Sequence, residues 1–208
     1  MPIFLPRAVR VKSEICAGDK TPKKLNSPII CIFLLRIIIS LRLWQRMNES
    51  ERVKRMNIQT KLQDLGLSLP TVAAPAANYV PYVISGKTIF VSGQIPFLNG
   101  EKMHLGRVGD TVSVEDGAKA AQACALNILA QVDDAVGGDW SKVARCVKLG
   151  GFVNCTPDFT DQPVVINGAS NLIADVMGDA GKHARFAVGA PSLPLGVAVE
   201  IDAVFELV

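Results

Sequence analysis

Two histidines in 208 residues leave little for metal or imidazole chemistry, and the five cysteines do not compensate. Cys16, Cys31, Cys124, Cys146 and Cys155 include no pair at CxxC spacing, and neither histidine has another nearby, so a zinc site is not expected. Phosphate-loop, serine-triad and dinucleotide signatures are also missing. Ser92-Gly-Gln-Ile-Pro96 is not a nucleophile elbow, and Gly150-Gly151 lacks the dinucleotide spacing. No internal repeat or low-complexity segment is evident. Only 20% of residues are charged while 49% are hydrophobic, which excludes a disordered chain.

Charge of one sign is scarce where the domain lies. Residues 1–55 hold 12 Lys/Arg and 4 Asp/Glu, a net of +8, whereas residues 56–208 hold 10 and 15, a net of −5. The overall +3 therefore hides a mildly acidic body, a poor match to a phosphate backbone, and no nucleic-acid partner is expected. Cys124 falls in an Ala-rich helical pattern and Cys146 in an apolar strand pattern. Both read as buried, reduced thiols in a cytoplasmic protein.

The first 55 residues carry no chemistry. Ile29 to Trp44 is strongly apolar but is broken by Arg36 and Arg42. Its longest uncharged run, Leu25 to Leu35, is shorter than the roughly 20 residues of a spanning helix. Lys23 and Lys24 precede it as in a signal segment, but no small-residue cleavage site follows. We weigh a membrane anchor and a cleaved targeting segment below a third reading. That reading places residues 1–55 outside the domain, as an appendage or an over-extended start, with Met47 and Met56 as alternative beginnings. No membrane partner is expected.

From residue 56 onward the pattern alternates regular elements. Asn57 to Leu65 predicts a short helix with Ile58, Leu62 and Leu65 on one face and Gly66 as its stop. Tyr82-Val-Ile and Thr88-Ile-Phe-Val flank Ser85-Gly86-Lys87 as a β-hairpin. Gly93, at the end of the second strand, marks either a bulge or a close approach of ligand to backbone. Asn99-Gly100 is a further turn. Ser113 to Val136 predicts the clearest helix, with Ser113 and Asp116 as a capping box and Gly137-Gly138 as its end. Its many alanines predict close packing on a sheet. Val143 to Val153 reads as a strand and Gln162 to Met177 as a second helix. Two strand-like runs, Phe186–Val188 and Val197–Phe205, close the chain. The order ββαβαββ predicts an α+β domain with a mixed sheet and two main helices on one face.

Arg185 opens the first of those last runs and Glu200 lies inside the second. On neighbouring strands, a fixed guanidinium and a carboxylate would bind a small anionic substrate and handle a proton. From composition alone, each is as readily a surface ion pair or a solvated strand residue. Glu200 alternates with Val199 and Ile201, so it faces away from both.

Several motifs, taken in order, favour the functional reading of Arg185 and do less for Glu200. They are Tyr79-Val-Pro-Tyr82, Thr88-Ile-Phe-Val-Ser-Gly-Gln-Ile-Pro96, Asn167-Gly-Ala-Ser170, Ala184-Arg185, Leu193-Pro194 and Val199-Glu200-Ile201. Together they resemble the YjgF family of reactive intermediate deaminases (RidA), also called endoribonuclease L-PSP. The resemblance covers residues 56–208 and none of the first 55. Lys61 to Pro70 and Pro157 to Pro163 resemble the branch with longer helices. It implies a chorismate-mutase-like fold and a homotrimer with clefts between subunits. It also implies hydrolysis of 2-imino or enamine acids to 2-keto acids and ammonia, with no cofactor or metal. On this resemblance Arg185 grips the substrate carboxylate and Glu200 positions the attacking water. Tyr82 lines the pocket, the backbone of Gly93 touches substrate, and Asn167 lies near the cleft.

Two positions depart from the deaminase pattern. Ala187 stands where Cys is common, and Val83-Ile84 where Ser-Gln is common. They leave two other readings open, a trimeric carboxylate-binding or regulatory module without turnover and, third, an endoribonuclease.

Overall fold

The computed structural model describes residues 58–72, 79–98 and 100–208. The expectations for residues 1–55 lie outside the described residues. Helix α1, Ile58–Asp64, buries Ile58 and Leu62 in the core of the domain, while Leu65 is exposed rather than part of that face. Gly66, at φ 70°, supplies the left-handed turn that ends it.

Strands β1, Tyr82–Ser85, and β2, Thr88–Gln94, form the expected hairpin about Gly86. A short ribbon follows, of β3, Phe97–Leu98, and β4, Glu101–Lys102. The Asn127 side-chain amide donates to the Ile95 and Phe97 carbonyl oxygens and pins the entry to this ribbon on helix α2, Val114–Val136. That helix starts as expected, with the Ser113 hydroxyl accepting from the Asp116 amide at 3.0 Å, and ends at left-handed Gly137. Strand β5, Val143–Asn154, helix α3, Gln162–Met177, strand β6, Ala184–Ala190, and strand β7, Val199–Leu207, complete the domain.

The main sheet has the order β1-β2-β7-β5-β6. Only β5 and β6 run parallel, joined by the crossover through α3. The other pairs are antiparallel. One expectation is corrected here: β6 and β7 are not neighbours, because β5 lies between them. The physical reason is burial. Val199, Ile201, Ala203 and Phe205 on one face of β7 are all 0–1% exposed, which only a central strand achieves, whereas β6 is exposed along most of its length. The Pro191 to Ala198 connection is long enough to carry the chain across β5.

Helices α2 and α3 cover one face of the sheet, and the alanines of α2 allow close approach, as their number predicts. Gly168 of α3 meets α2 so closely that a Cβ there would lie inside contact distance of the Ala118 carbonyl oxygen. Gly168→Ala therefore forces the helices apart. We expect it to cost about 1–3 kcal/mol and lower Tm by several degrees in a thermal melt, whereas substitution at exposed Lys119 on the same helix pair leaves Tm unchanged.

Candidate functional site

Every sequence-predicted site residue is described, and the fold distributes them over three places. The first is the β6 edge. Arg185 pairs in register with Leu149 of β5, and Leu149 with Ala203 of β7, so all three share the helix-covered face. Its Nη1 donates to the Asn167 Oδ1 at 2.8 Å and to the Ser170 Oγ at 3.0 Å, both on α3. Nη1 carries two hydrogens, so both are used. The free Nε–Nη2 edge is the fork that matches a carboxylate. Among the described residues, Arg185 has no acidic side chain within ion-pair distance. Ser170 was not among the residues singled out from sequence. The signal existed, since Asn167 and Ser170 are three apart and share a helix face.

The second place is the helix-free face. Glu200 pairs with Phe152 of β5, and both point away from the helices. The register slips between Val91 and Gln94 where β2 meets β7, so of the two readings of Gly93 the bulge is present. A Cβ on Gly93 would overlap the Glu200 carboxylate, so glycine is required for the carboxylate to sit against the β2 backbone. Asp202 lies two residues on, on the same face, with its Oδ1 buried and unpartnered. Burial first, and the neighbouring Asp202 second, raise the Glu200 pKa above the ordinary carboxylate value.

The third place is the β1 edge. The Tyr82 hydroxyl donates to the Asp134 Oδ2 at 2.8 Å, at the far end of α2. That hydrogen bond, then burial, raises its pKa. Tyr82 and Arg185 therefore stand on opposite edges of the sheet, four inter-strand steps or about 19 Å apart. Arg185 and Glu200 are two steps, about 10 Å, and about three residues apart, and they point to opposite faces. Within one chain only Arg185 with Asn167, and Glu200 with Gly93, are brought together.

A cleft of about 300 Å³ lies elsewhere, among Arg107, Cys155, Phe159, Gln162 and Pro191, and none of the predicted residues lines it. Cys124, Cys146 and Cys155 are free and buried, as expected of the first two. Burial holds the Cys124 thiol well above its usual pKa and pushes Cys146 to about 12. Neither is poised as a nucleophile.

The fold and these residues define a mixed α+β domain that presents, at one sheet edge, an arginine with no acidic partner among the described residues and, on the sheet face, a partly buried glutamate. Residues 59–207 match the family described as "YjgF/chorismate mutase-like, putative endoribonuclease", and the chain belongs to it. Protein TCP17 of Trypanosoma cruzi is 49% identical over 151 residues, which cover 72% of this chain and 94% of that protein. The crystal structure of Atu1372 from Agrobacterium tumefaciens, of unknown function, is 51% identical. It covers 73% of this chain and 94% of its own, with a TM-score of 0.68. A "putative endoribonuclease" of Shewanella oneidensis is 33% identical over 72% of this chain and 99% of its own, with a TM-score of 0.69.

The raised Glu200 pKa carries a stability consequence. A carboxyl whose folded pKa lies above its unfolded value contributes most when protonated, and that contribution is lost as pH rises through the folded pKa. Glu200→Gln is therefore expected to raise Tm at neutral pH relative to the parent. The gap should close as pH falls below about 4, where both states are protonated. A gap that widens on acidification would show that the fold favours the charged form.

Proposed function

We propose that this domain hydrolyses small reactive 2-imino or enamine acids to 2-keto acids and ammonia, as a cytoplasmic homotrimer with its sites between subunits. The observation that carries this is the Arg185 guanidinium. It is locked on one side by Asn167 and Ser170 and left open on the side that fits a carboxylate. Family membership supports the same reading. Among the described residues no helix is long and apolar enough to cross a membrane, and the three free thiols fit a reducing compartment.

On this reading the site draws on a second copy of the chain. Arg185 and Glu200, on opposite faces, share a pocket only when they come from different subunits, and Tyr82 likewise reaches Arg185 only across an interface. The helix-free face supports such an assembly. Val83, Phe90, Phe152 and Val188 are exposed there, and the Asp202 oxygen beside them is buried without a partner. Arg185 of one subunit holds the substrate carboxylate and orients the imine carbon. Glu200 of a neighbour, its pKa raised toward the useful range, takes a proton from water as the oxygen attacks that carbon. Returning that proton to nitrogen gives a carbinolamine. Its hydroxyl proton then passes by way of Glu200 to the same nitrogen, and ammonia leaves as the C=O bond forms. The net change is imino acid plus water to keto acid plus ammonia, so no redox cofactor enters.

A second reading, carboxylate binding without turnover, rests on Ala187. It shares the helix-covered face with Arg185, two residues along β6, and leaves that stretch without a thiol. An RNA-cleaving reading gains little from a net charge of −5 over residues 56–208.

Ammonia release from freshly generated 2-iminopropionate or 2-iminobutyrate tests the proposal. Arg185→Ala should lower kcat/KM by at least about a hundred-fold, the scale expected for a lost charge-assisted pair. Absence of release from any small 2-imino acid would sink the deaminase reading, and retained carboxylate binding would then favour the second. Sedimentation should give the mass of three chains for the parent and a smaller species for Phe90→Asp with Val188→Asp. An unchanged mass would refute an interface on this face.

A further inference from the structure

Behind Arg185 the hydrogen bonds continue into a chain that the proposed reaction does not use. The Ser170 Oγ lies 3.1 Å from the His183 Nε2, and the other ring nitrogen of His183, Nδ1, bonds the Gly181 carbonyl oxygen. A carbonyl oxygen only accepts, so Nδ1 carries the ring proton. In the neutral ring Nε2 is then an acceptor, and the Ser170 hydroxyl hydrogen must point at it. That turns the serine's lone pairs toward the Arg185 Nη1, which donates to them at 3.0 Å. One arrangement of hydrogens satisfies every group from Gly181 to Asn167. Without His183, a helical serine directs its hydroxyl back to the carbonyl four residues earlier, here that of Ile166. The lone pairs then turn away from the guanidinium.

We infer that Ser170 and His183 are positioning residues for carboxylate recognition. The Nδ1–H form of His183 orients Ser170, and Ser170 with Asn167 occupies both hydrogens of the Arg185 Nη1, so that the Nε–Nη2 edge is presented to the ligand. This inference rests on the reading of Arg185 as the carboxylate-binding group. It adds two residues that touch no reacting atom and make the arginine selective for a planar two-oxygen partner. A rotating guanidinium would bind any anion, whereas one fixed on a single nitrogen offers a fork of set direction.

Calorimetric titration of the full chain with 2-oxobutyrate reads the effect without turnover. Ser170→Ala is expected to raise Kd about ten-fold, the scale of one hydrogen bond to a charged group, and His183→Phe about three- to ten-fold. Because the two act in series, the double variant should bind no worse than Ser170→Ala alone. His183→Gln, which keeps an acceptor for the serine hydroxyl, should restore binding to within about three-fold of the parent. Independently of any ligand, nitrogen-15 spectra at pH 8 should show the His183 proton on Nδ1. Effects that multiply in the double variant, single variants that bind like the parent, or a proton on Nε2 would each overturn the inference. If Arg185→Ala still binds, or the parent does not bind, the carboxylate reading fails and this inference fails with it. If Arg185→Ala loses binding while Ser170 and His183 prove silent, only the positioning role is lost.

Discussion

Val199, Ile201, Ala203 and Phe205 bury one whole face of β7 beneath α2, and the rest of the domain is arranged to permit it. A strand that sealed on one side can sit only in the middle of the sheet. Truncating Phe205 or Ile201 would remove about 2–5 kcal/mol, a large share of the stability of any domain. Fixing β7 at the centre forces β2 and β5 onto its two sides and sends β6 to the edge. Because side chains alternate along a strand, burial of Val199 and Ile201 also commits Glu200 to the opposite face.

That commitment shapes the chemistry. On the helix-free face, Glu200 is half-buried beside Asp202 and against the backbone of Gly93, which raises its pKa without supplying a cationic partner. Arg185 stays on the helix side of the edge strand, where α3 offers Asn167 and Ser170 as acceptors but no carboxylate. The two groups of the proposed reaction are thus prepared separately, each with one requirement left open. Keeping them apart prevents the internal ion pair that would neutralise both.

Much of the fold was legible in the sequence. The 3.6-residue spacing of apolar positions in α2 and α3, the capping box at Ser113, the left-handed stop at Gly137 and the tight turn at Gly86 are local signals, and each appears where its chemistry predicts. The helix at Ile58 was legible too, except that Leu65 lies past its last turn and faces solvent. The ordered motifs around Tyr82, Gly93, Asn167, Arg185 and Glu200 were sufficient for family membership. The partners were not legible. Nothing local in His183 says that it meets Ser170, or in Tyr82 that it bonds Asp134, fifty-two residues away.

By itself, the sequence determined the kinds of element, their order, the acidic character of residues 56–208 and which face of its strand Glu200 occupies. Those depend on propensity, capping and two-residue alternation, all of which act over a few neighbours. Only the tertiary structure decided that β5 intervenes between β6 and β7, that Arg185 and Glu200 face opposite ways, and that Tyr82 and Arg185 stand on opposite edges. Strand order is set by the competition of whole faces for burial, a sum over the domain that no short window of residues contains.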